Sequence, residues 1–203
     1  SQQYAQLSAS GYVVAQRRAA VASKATGRLI WLNVREGSKV KQGEIIAKLD
    51  ASDVQAAMAA VQANIRQAEA GVAQANVELV NAESDLQRAQ GLKAQGFLSA
   101  QAMDAATKRV NASKAAMTSA KAAVAVARSQ LRVQQVNQDF TEIRAPFDGV
   151  VLNKNANVGD IITPFSSAAG SQGAVVTMAD MTTLEVEADV SESNLAKANI
   201  GQP

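Results

Sequence analysis

Residues 54–89 read VQAAMAAVQANIRQAEAGVAQANVELVNAESDLQRA, and a row of mostly apolar residues runs through them at spacings of four and three. This alternation is typical of a coiled coil, because it places one apolar seam along a helix. The stretch therefore predicts a long helix that packs along its whole length against another helix. The row consists of Val54, Met58, Val61, Ile65, Ala68, Val72, Ala75, Leu79, Ala82, Leu86 and Ala89.

A second row with the same alternation follows further along the chain and predicts a second helix. Its members are Met103, Ala106, Val110, Ser113, Met117, Ala120, Val124, Ala127, Leu131 and Gln134. In each row, one heptad position holds large residues and the other holds mostly small ones. The small residues let two helices pack closely. The methionines lie on these rows, so we interpret them as packing residues rather than as soft-metal ligands.

The segment between the two rows predicts a reversal of the chain. Gly91 and Gly96 indicate the end of the first helix, and Ser99 stands where an N-cap of the second belongs. Ser52, followed by Gln55, predicts a capping box at the start of the first helix. We therefore expect an antiparallel helical hairpin whose arms have about 38 residues, or about 57 Å, each. The alternative is a pair of ordinary bundle helices within a globular core.

The segments that flank the hairpin resemble each other. Gly27 precedes Gly37 by ten residues, and Gly149 precedes Gly159 by the same interval. A β-branched residue follows three positions after the second glycine of each pair. This repeat predicts two similar strand–turn–strand halves that complete one core. Since an antiparallel hairpin brings its two ends together, Asp50 should lie near Phe140.

Composition excludes several classes of function. The 203 residues include no Cys and no His, which removes thiolate and imidazole chemistry and the zinc sites built on them. The net charge is only +2 and no basic residues alternate with aromatic ones, so we expect no nucleic-acid partner. No catalytic cluster and no phosphate-binding loop is present, and the chain holds no apolar stretch long enough to span a membrane. The sequence opens at Ser1 without a signal peptide, so we expect a processed chain.

Two motifs in the flanks carry a family resemblance. Residues 34–44, VREGSKVKQGE, and 143–151, IRAPFDGVV, resemble the two halves of a biotinyl/lipoyl-type domain. A domain of this type split by a coiled-coil hairpin is similar to the HlyD-like membrane fusion proteins. The resemblance covers about residues 10–200. It implies an α+β fold, with a split lipoyl/biotinyl-like β-sandwich interrupted by a long antiparallel coiled-coil α-hairpin, plus partial β-barrel strands.

The same resemblance divides the chain into three parts. Residues 21–50 and 140–180 correspond to the lipoyl-like domain, with turns at Gly27, Gly37, Gly149 and Gly159. Residues 51–139 form the helical hairpin, with its tip near 91–99. Residues 1–20 and 181–203 correspond to a partial β-barrel domain, and the segment Ser166–Gly173 is a loop inserted in the second half.

Three residues near the predicted tip match a more specific motif of the family. Arg88, Leu92 and Ser99 have the spacing Arg-x3-Leu-x6-Ser, which in adaptors of TolC-like outer-membrane channels lies at the tip of the hairpin. The resemblance implies that these residues dock onto the channel. Each also has a purely structural interpretation. Arg88 is a cation suited to the last turns of a helix, Leu92 could close the hairpin, and Ser99 could serve as an N-cap.

The resemblance implies a periplasmic adaptor that bridges an inner-membrane transporter, of ABC or RND type, to a TolC-like outer-membrane channel. Six copies would form the conduit for efflux or export. Such a protein is not an enzyme and needs no cofactor and no metal. It would be held at the inner membrane through a segment outside this sequence.

Two other functions remain open from the sequence. One is a biotin or lipoate carrier domain of an enzyme complex, which requires a lysine at the tight turn between the two halves. Lys48 and Lys154 do not lie at such a turn, and the helical insert occupies that position. The other is a free-standing coiled-coil dimer with β caps.

Overall fold

The computed structural model describes residues 10–164 and 173–189, with side chains described for 17–164 and 173–180. The chain separates into two units, one made of residues 1–50 and 140–203 and the other of residues 51–139. The first is a β unit and the second is the helical hairpin. The inserted loop and the ends of the predicted barrel segments lie outside the described residues.

Within the described residues, the β unit consists of two four-stranded sheets. Their strand orders are β1-β8-β6-β3 and β5-β4-β2-β7, and every strand pair is antiparallel. The strands are β1 (Ser10–Ala22), β2 (Gly27–Leu32), β3 (Lys39–Val40), β4 (Ile45–Leu49), β5 (Glu142–Arg144), β6 (Gly149–Lys154), β7 (Ile161–Ile162) and β8 (Ala174–Asp189). Two sheets that share one apolar interior form a sandwich.

Apolar residues from both halves of the chain form the core of this sandwich. The larger side chains that are fully buried are Leu29, Ile46, Leu49, Val151, Val175, Val176 and Met178. Three of them come from the segment before the hairpin and four from the segment after it, so neither segment has a core of its own. This is the split sandwich that the repeat predicts.

The two halves also exchange their short strands. The first half's β3 pairs with β6 of the second half, and β7 of the second half pairs with β2 of the first. Leu29 donates to the carbonyl oxygen of Asp160 at 2.9 Å, and Val151 donates to that of Ser38 at 2.9 Å. These two hydrogen bonds occupy equivalent positions in the repeat. Each half therefore pairs one of its short strands with a strand of the other half.

The turns that precede the exchanged strands share one geometry. Gly37 and Gly159 adopt φ values of 85° and 101°, which only glycine adopts readily. The N–H of Gly37 donates to the carbonyl oxygen of Val151, and that of Gly159 to the carbonyl oxygen of Leu29. Both glycines of the repeat are therefore required by the backbone at their turns.

The first glycine of each pair marks a close approach between strands. A Cβ atom at Gly149 would lie 2.3 Å from the carbonyl oxygen of Ala179, whereas one at Gly27 would lie 3.3 Å from the Cβ of Leu49.

The chain leaves and re-enters the β unit at adjacent points, because the N–H of Leu49 donates to the carbonyl oxygen of Thr141 at 2.8 Å. This agrees with the expected nearness of residues 50 and 140.

The hairpin unit consists of α1 (Ser52–Ala94) and α2 (Ala100–Phe140). The burial of side chains follows the two heptad rows. From residue 101 to 134, the side chains that are not exposed are the ten members of the second row. Ala82, Val110 and Ala127 are the buried residues of the two helices, and all three belong to the rows. The predicted α+β fold, with a split sandwich, a coiled-coil hairpin and partial barrel strands, is confirmed.

Two details of the prediction are wrong. The first helix does not end at Gly91 but continues to Ala94, because glycine lowers helix stability by only about 1 kcal/mol. The N-cap residue of α1 is Ala51, so Ser52 lies in the first turn and is not the N-cap that a capping box requires.

Candidate docking tip of the hairpin

A five-residue connection, 95–99, joins the helices at the tip. Gln95 is the C-cap residue of α1, and Gly96 takes a φ of 78° that reverses the chain. The N–H of Phe97 then donates to the carbonyl oxygen of Leu92 at 2.9 Å. Backbone hydrogen bonds to the last turn of α1 therefore fix the path of the loop.

Ser99 begins the second helix. Its hydroxyl oxygen accepts the backbone N–H of Ala102 at 3.1 Å, which is the contact of an N-cap. Its carbonyl oxygen accepts the N–H of Met103. The structural interpretation of Ser99 therefore holds, while the O–H of the side chain can still donate a hydrogen bond to a partner.

Leu92 and Phe97 supply apolar surface at the tip. Leu92 is 39% exposed, and Phe97 is 77% exposed. Phe97 was not singled out from the sequence. The signal that could have found it is a large aromatic residue directly after the loop glycine Gly96, where neither helix row can cover it.

Arg88 lies on the flank of the hairpin, one turn below the tip. Its Nη1 is 3.1 Å from Oδ1 of Asp85, three residues earlier in α1. The other oxygen of that carboxylate, Oδ2, lies 2.5 Å from Nη1 of Arg109 in α2. One carboxylate therefore joins two arginines across the two helices. The heptad rows do not predict the contact between Asp85 and Arg109, because neither residue belongs to a row.

A second ion pair joins the helices nearer the base. Nη2 of Arg128 lies 3.2 Å from Oε1 of Glu69. A third pair, Lys108 with Asp104, lies within α2. Both are mostly exposed, and exposed ion pairs contribute at most about 1 kcal/mol to stability.

Charge at the tip has one sign. Residues 86–103 contain the cations Arg88 and Lys93 and no acidic residue. The three predicted docking residues thus belong to a cationic, partly apolar surface. Arg88 and Leu92 lie on one face of α1 because they are four residues apart. Ser99 lies across the connection at the start of α2.

A shallow groove of 590 Å³ follows one side of the hairpin. Small residues from both helices line it, together with Gln74, Glu78 and Arg109. The small residues are Gly71, Ala75, Ala112, Ser113, Ala116, Ser119, Ala120 and Ala123.

Across the described part of the chain, neither helix has a segment apolar enough to cross a bilayer.

The two lysines considered for a carrier function are held in other contacts. Lys48 lies within β4, with its ammonium group 5.3 Å from the centre of the Trp31 ring. Lys154 ends β6 and donates to Oδ1 of Asn157 at 2.9 Å. Neither position is the tight turn between the halves where a carrier domain bears its modified lysine.

Comparison with protein families gives one match that covers most of the chain. A family model described as the barrel-sandwich hybrid domain of RND membrane fusion proteins (RND MFP) matches residues 17–183. The match spans both segments of the β unit together with the hairpin between them.

Relatives and a solved structure agree with this match. The multidrug resistance protein MdtA of Klebsiella pneumoniae subsp. pneumoniae is 31% identical over 190 residues, which are 94% of this chain and 42% of that protein. The macrolide export protein MacA of Yersinia pestis is 31% identical over 193 residues, 95% of this chain and 51% of that protein. The chain thus spans about half, or less, of the length of these curated relatives.

The crystal structure of MacA from Actinobacillus actinomycetemcomitans has the same fold. It superposes with a TM-score of 0.77 at 21% identity, over 95% of this chain and 58% of that chain. The split sandwich and the long helical hairpin are therefore features of an architecture that has been observed experimentally.

Proposed function

Since this chain belongs to the RND-type membrane fusion proteins, the adaptors of efflux systems, we propose that it bridges an inner-membrane transporter to a TolC-like outer-membrane channel in the periplasm. The role is mechanical. The chain forms part of a conduit and catalyses no reaction, and it uses no cofactor or metal. A segment outside this sequence would hold it at the inner membrane.

The observation that carries the proposal is the exposed tip at the end of a long paired rod. The helix α1 has 43 residues, or about 64 Å at 1.5 Å per residue. At its end, Leu92 and Phe97 expose apolar surface next to the cations Arg88 and Lys93. Exposed apolar groups with charged neighbours are typical of an interaction site. We assign channel docking to Arg88, Leu92 and Ser99, and add Phe97.

The flanks of the hairpin support side-by-side assembly. Small residues line the groove along one side, and they allow another helix to approach closely. Exposed valines at positions 77, 80, 126 and 133 add apolar surface to the outer faces. We propose that six copies place their hairpins next to one another and enclose a tube.

The remaining parts of the chain contact the transporter side. We assign residues 21–50 and 140–180 to a lipoyl-like ring around the conduit, and residues 1–20 and 181–203 to a partial barrel domain. The relatives are named for multidrug resistance and macrolide export, which supports small-molecule cargo. Transporters of ABC type and RND type are both compatible with these features.

In-cell photo-crosslinking tests this function directly. The full-length protein would carry the photo-reactive amino acid benzoylphenylalanine in place of Phe97, and mass spectrometry would identify the crosslinked partner. We expect a crosslink to the outer-membrane channel from position 97. We expect none from the same probe at Val133, which is 57% exposed but far from the tip along α2. Absence of channel crosslinks at position 97, at normal protein level, would refute the docking role.

A further inference from the structure

Asp85, Arg88 and Arg109 form one unit on the flank of the hairpin, which we call the bridged arginine pair. The two ion pairs share a single carboxylate, at 3.1 Å to Arg88 and 2.5 Å to Arg109. We propose that this unit binds a carboxylate of the channel, so that Arg109 is a docking residue in addition to the three of the tip motif. The inference rests on the proposed function and specifies the chemistry of the partner.

The charge of the unit supports an acidic partner. Two guanidinium groups share one carboxylate, so the unit keeps one net positive charge. Toward the tip, residues 86–103 add Lys93 and no acidic residue, and Asp104 pairs with Lys108. Away from the tip, α1 carries Glu78 and Glu83, and Glu78 lines the groove together with Arg109. An incoming carboxylate therefore meets excess positive charge on the tip side of the unit.

Unused hydrogen-bond donors support the same partner. A guanidinium group has five N–H donors, and the ion pairs with Asp85 occupy only part of them. The side chains of Arg88 and Arg109 are 70% and 51% exposed, so the remaining donors are accessible. Two parallel N–H groups of an arginine match the two oxygens of a carboxylate, which makes arginine well suited to such a contact.

Stability alone does not account for the arrangement. Exposed ion pairs contribute at most about 1 kcal/mol, and the pair between Glu69 and Arg128 already joins the same helices. Asp85 instead holds the guanidinium of Arg88 beside α2, so that two arginines from different helices face one site. Asp85 is thus a positioning residue, and the docking surface extends about 14 Å along α1 from Asp85 to its end at Ala94.

The experiment compares Arg109→Gln with the matched variant Arg128→Gln in the full-length protein. Both remove an exposed, cross-helix arginine–carboxylate pair, so the melting temperatures should fall equally. Channel crosslinking through the probe at position 97 should fall about tenfold for Arg109→Gln, as for a central interface arginine, and stay unchanged for Arg128→Gln. Arg109→Lys keeps the positive charge but loses the two parallel N–H groups of the guanidinium. Its crosslinking yield should therefore lie between those of the wild type and Arg109→Gln.

A second probe tests the nature of the partner. Benzoylphenylalanine in place of the exposed Ala105, one turn from Arg109, should crosslink a channel peptide that contains Asp or Glu. A crosslinked peptide without an acidic residue, or no crosslink from position 105, would overturn the inference.

The outcomes separate the two proposals. If Arg109→Gln crosslinks as the wild type does while Arg88→Ala does not, the bridged arginine pair is only a clamp between the helices and the inference is wrong. If the wild type itself gives no channel crosslink at position 97, the proposed function is wrong.

Discussion

Gly37 and Gly159 hold equivalent places in the two halves of the β unit. Each adopts a positive φ, and each donates its N–H to a strand of the other half. The two contacts, at 2.8 and 2.7 Å, hold the exchanged strands in register. Because the glycines recur at one interval in the sequence, the repeat seen there corresponds to a structural symmetry of the sandwich.

Replacing Gly159 by Ala should lower the free energy of unfolding of the purified chain by about 1–2 kcal/mol, the cost of a left-handed conformation for a residue with a Cβ. No described atom lies within 4 Å of the Cβ position, so the loss reports the backbone alone. Gly91→Ala, in the last turn of α1, should instead raise stability, by at most about 0.5–1 kcal/mol. Denaturant titration measures the free energy of unfolding of both variants. Equal effects would contradict the left-handed backbone at Gly159.

Leu79→Asp should destabilise the hairpin by at least about 2 kcal/mol, because it places a carboxylate in the seam between the helices. Helical circular dichroism and the melting temperature should fall together. The control is Val80→Asp, since the neighbouring valine is 53% exposed and a charge there remains in water. A melt of Leu79→Asp that matches that of the control would contradict the coiled-coil register.

Arg88→Ala and Leu92→Ala should impair efflux in cells at normal protein level, while the purified chains remain folded. Both side chains are largely or partly exposed, so truncation leaves the seam intact. Arg66→Ala removes an exposed arginine of α1 far from the tip and should leave efflux unchanged. Accumulation of a transported drug measures the effect, and wild-type efflux in both tip variants would rule out their docking role.

Ser99→Asp separates the cap from the contact with the channel. Aspartate is as good an N-cap as serine, so the melting temperature should stay within the range of the wild type. The added negative charge would face an acidic partner surface, and channel crosslinking should fall. Ser99→Ala removes both the cap and the O–H donor, so stability should fall by about 1 kcal/mol and channel crosslinking should fall as well. If Ser99→Asp docks normally, position 99 lies outside the contact.

Much of the fold could be predicted from the sequence because its signals are periodic. Heptad spacing depends only on the geometry of one helix, so the members of both seams could be identified before the partner helix was known. The glycine interval of the repeat is similarly local at Gly37 and Gly159, where the turn itself requires the residue.

The parts that could not be predicted depend on how separate segments align. Asp85 and Arg109 are brought together by the register between two helices, which the connection at Gly96 sets and no spacing within either helix reveals. The end of α1 is hard to predict for a related reason, because Gly91 remains compatible with a helix and the positive φ occurs only at Gly96.

The exchange of short strands has a consequence for biogenesis. β3 cannot find its partner β6 until more than a hundred further residues have been synthesised, and closing so long a loop is slow compared with forming the local contacts of a helical rod. We therefore expect the helical rod to form first and the sandwich to close last. A nascent chain that ends before residue 149 exposes the apolar residues of its half of the core. Closure of the β unit is therefore the folding step at which we expect a chaperone to be needed.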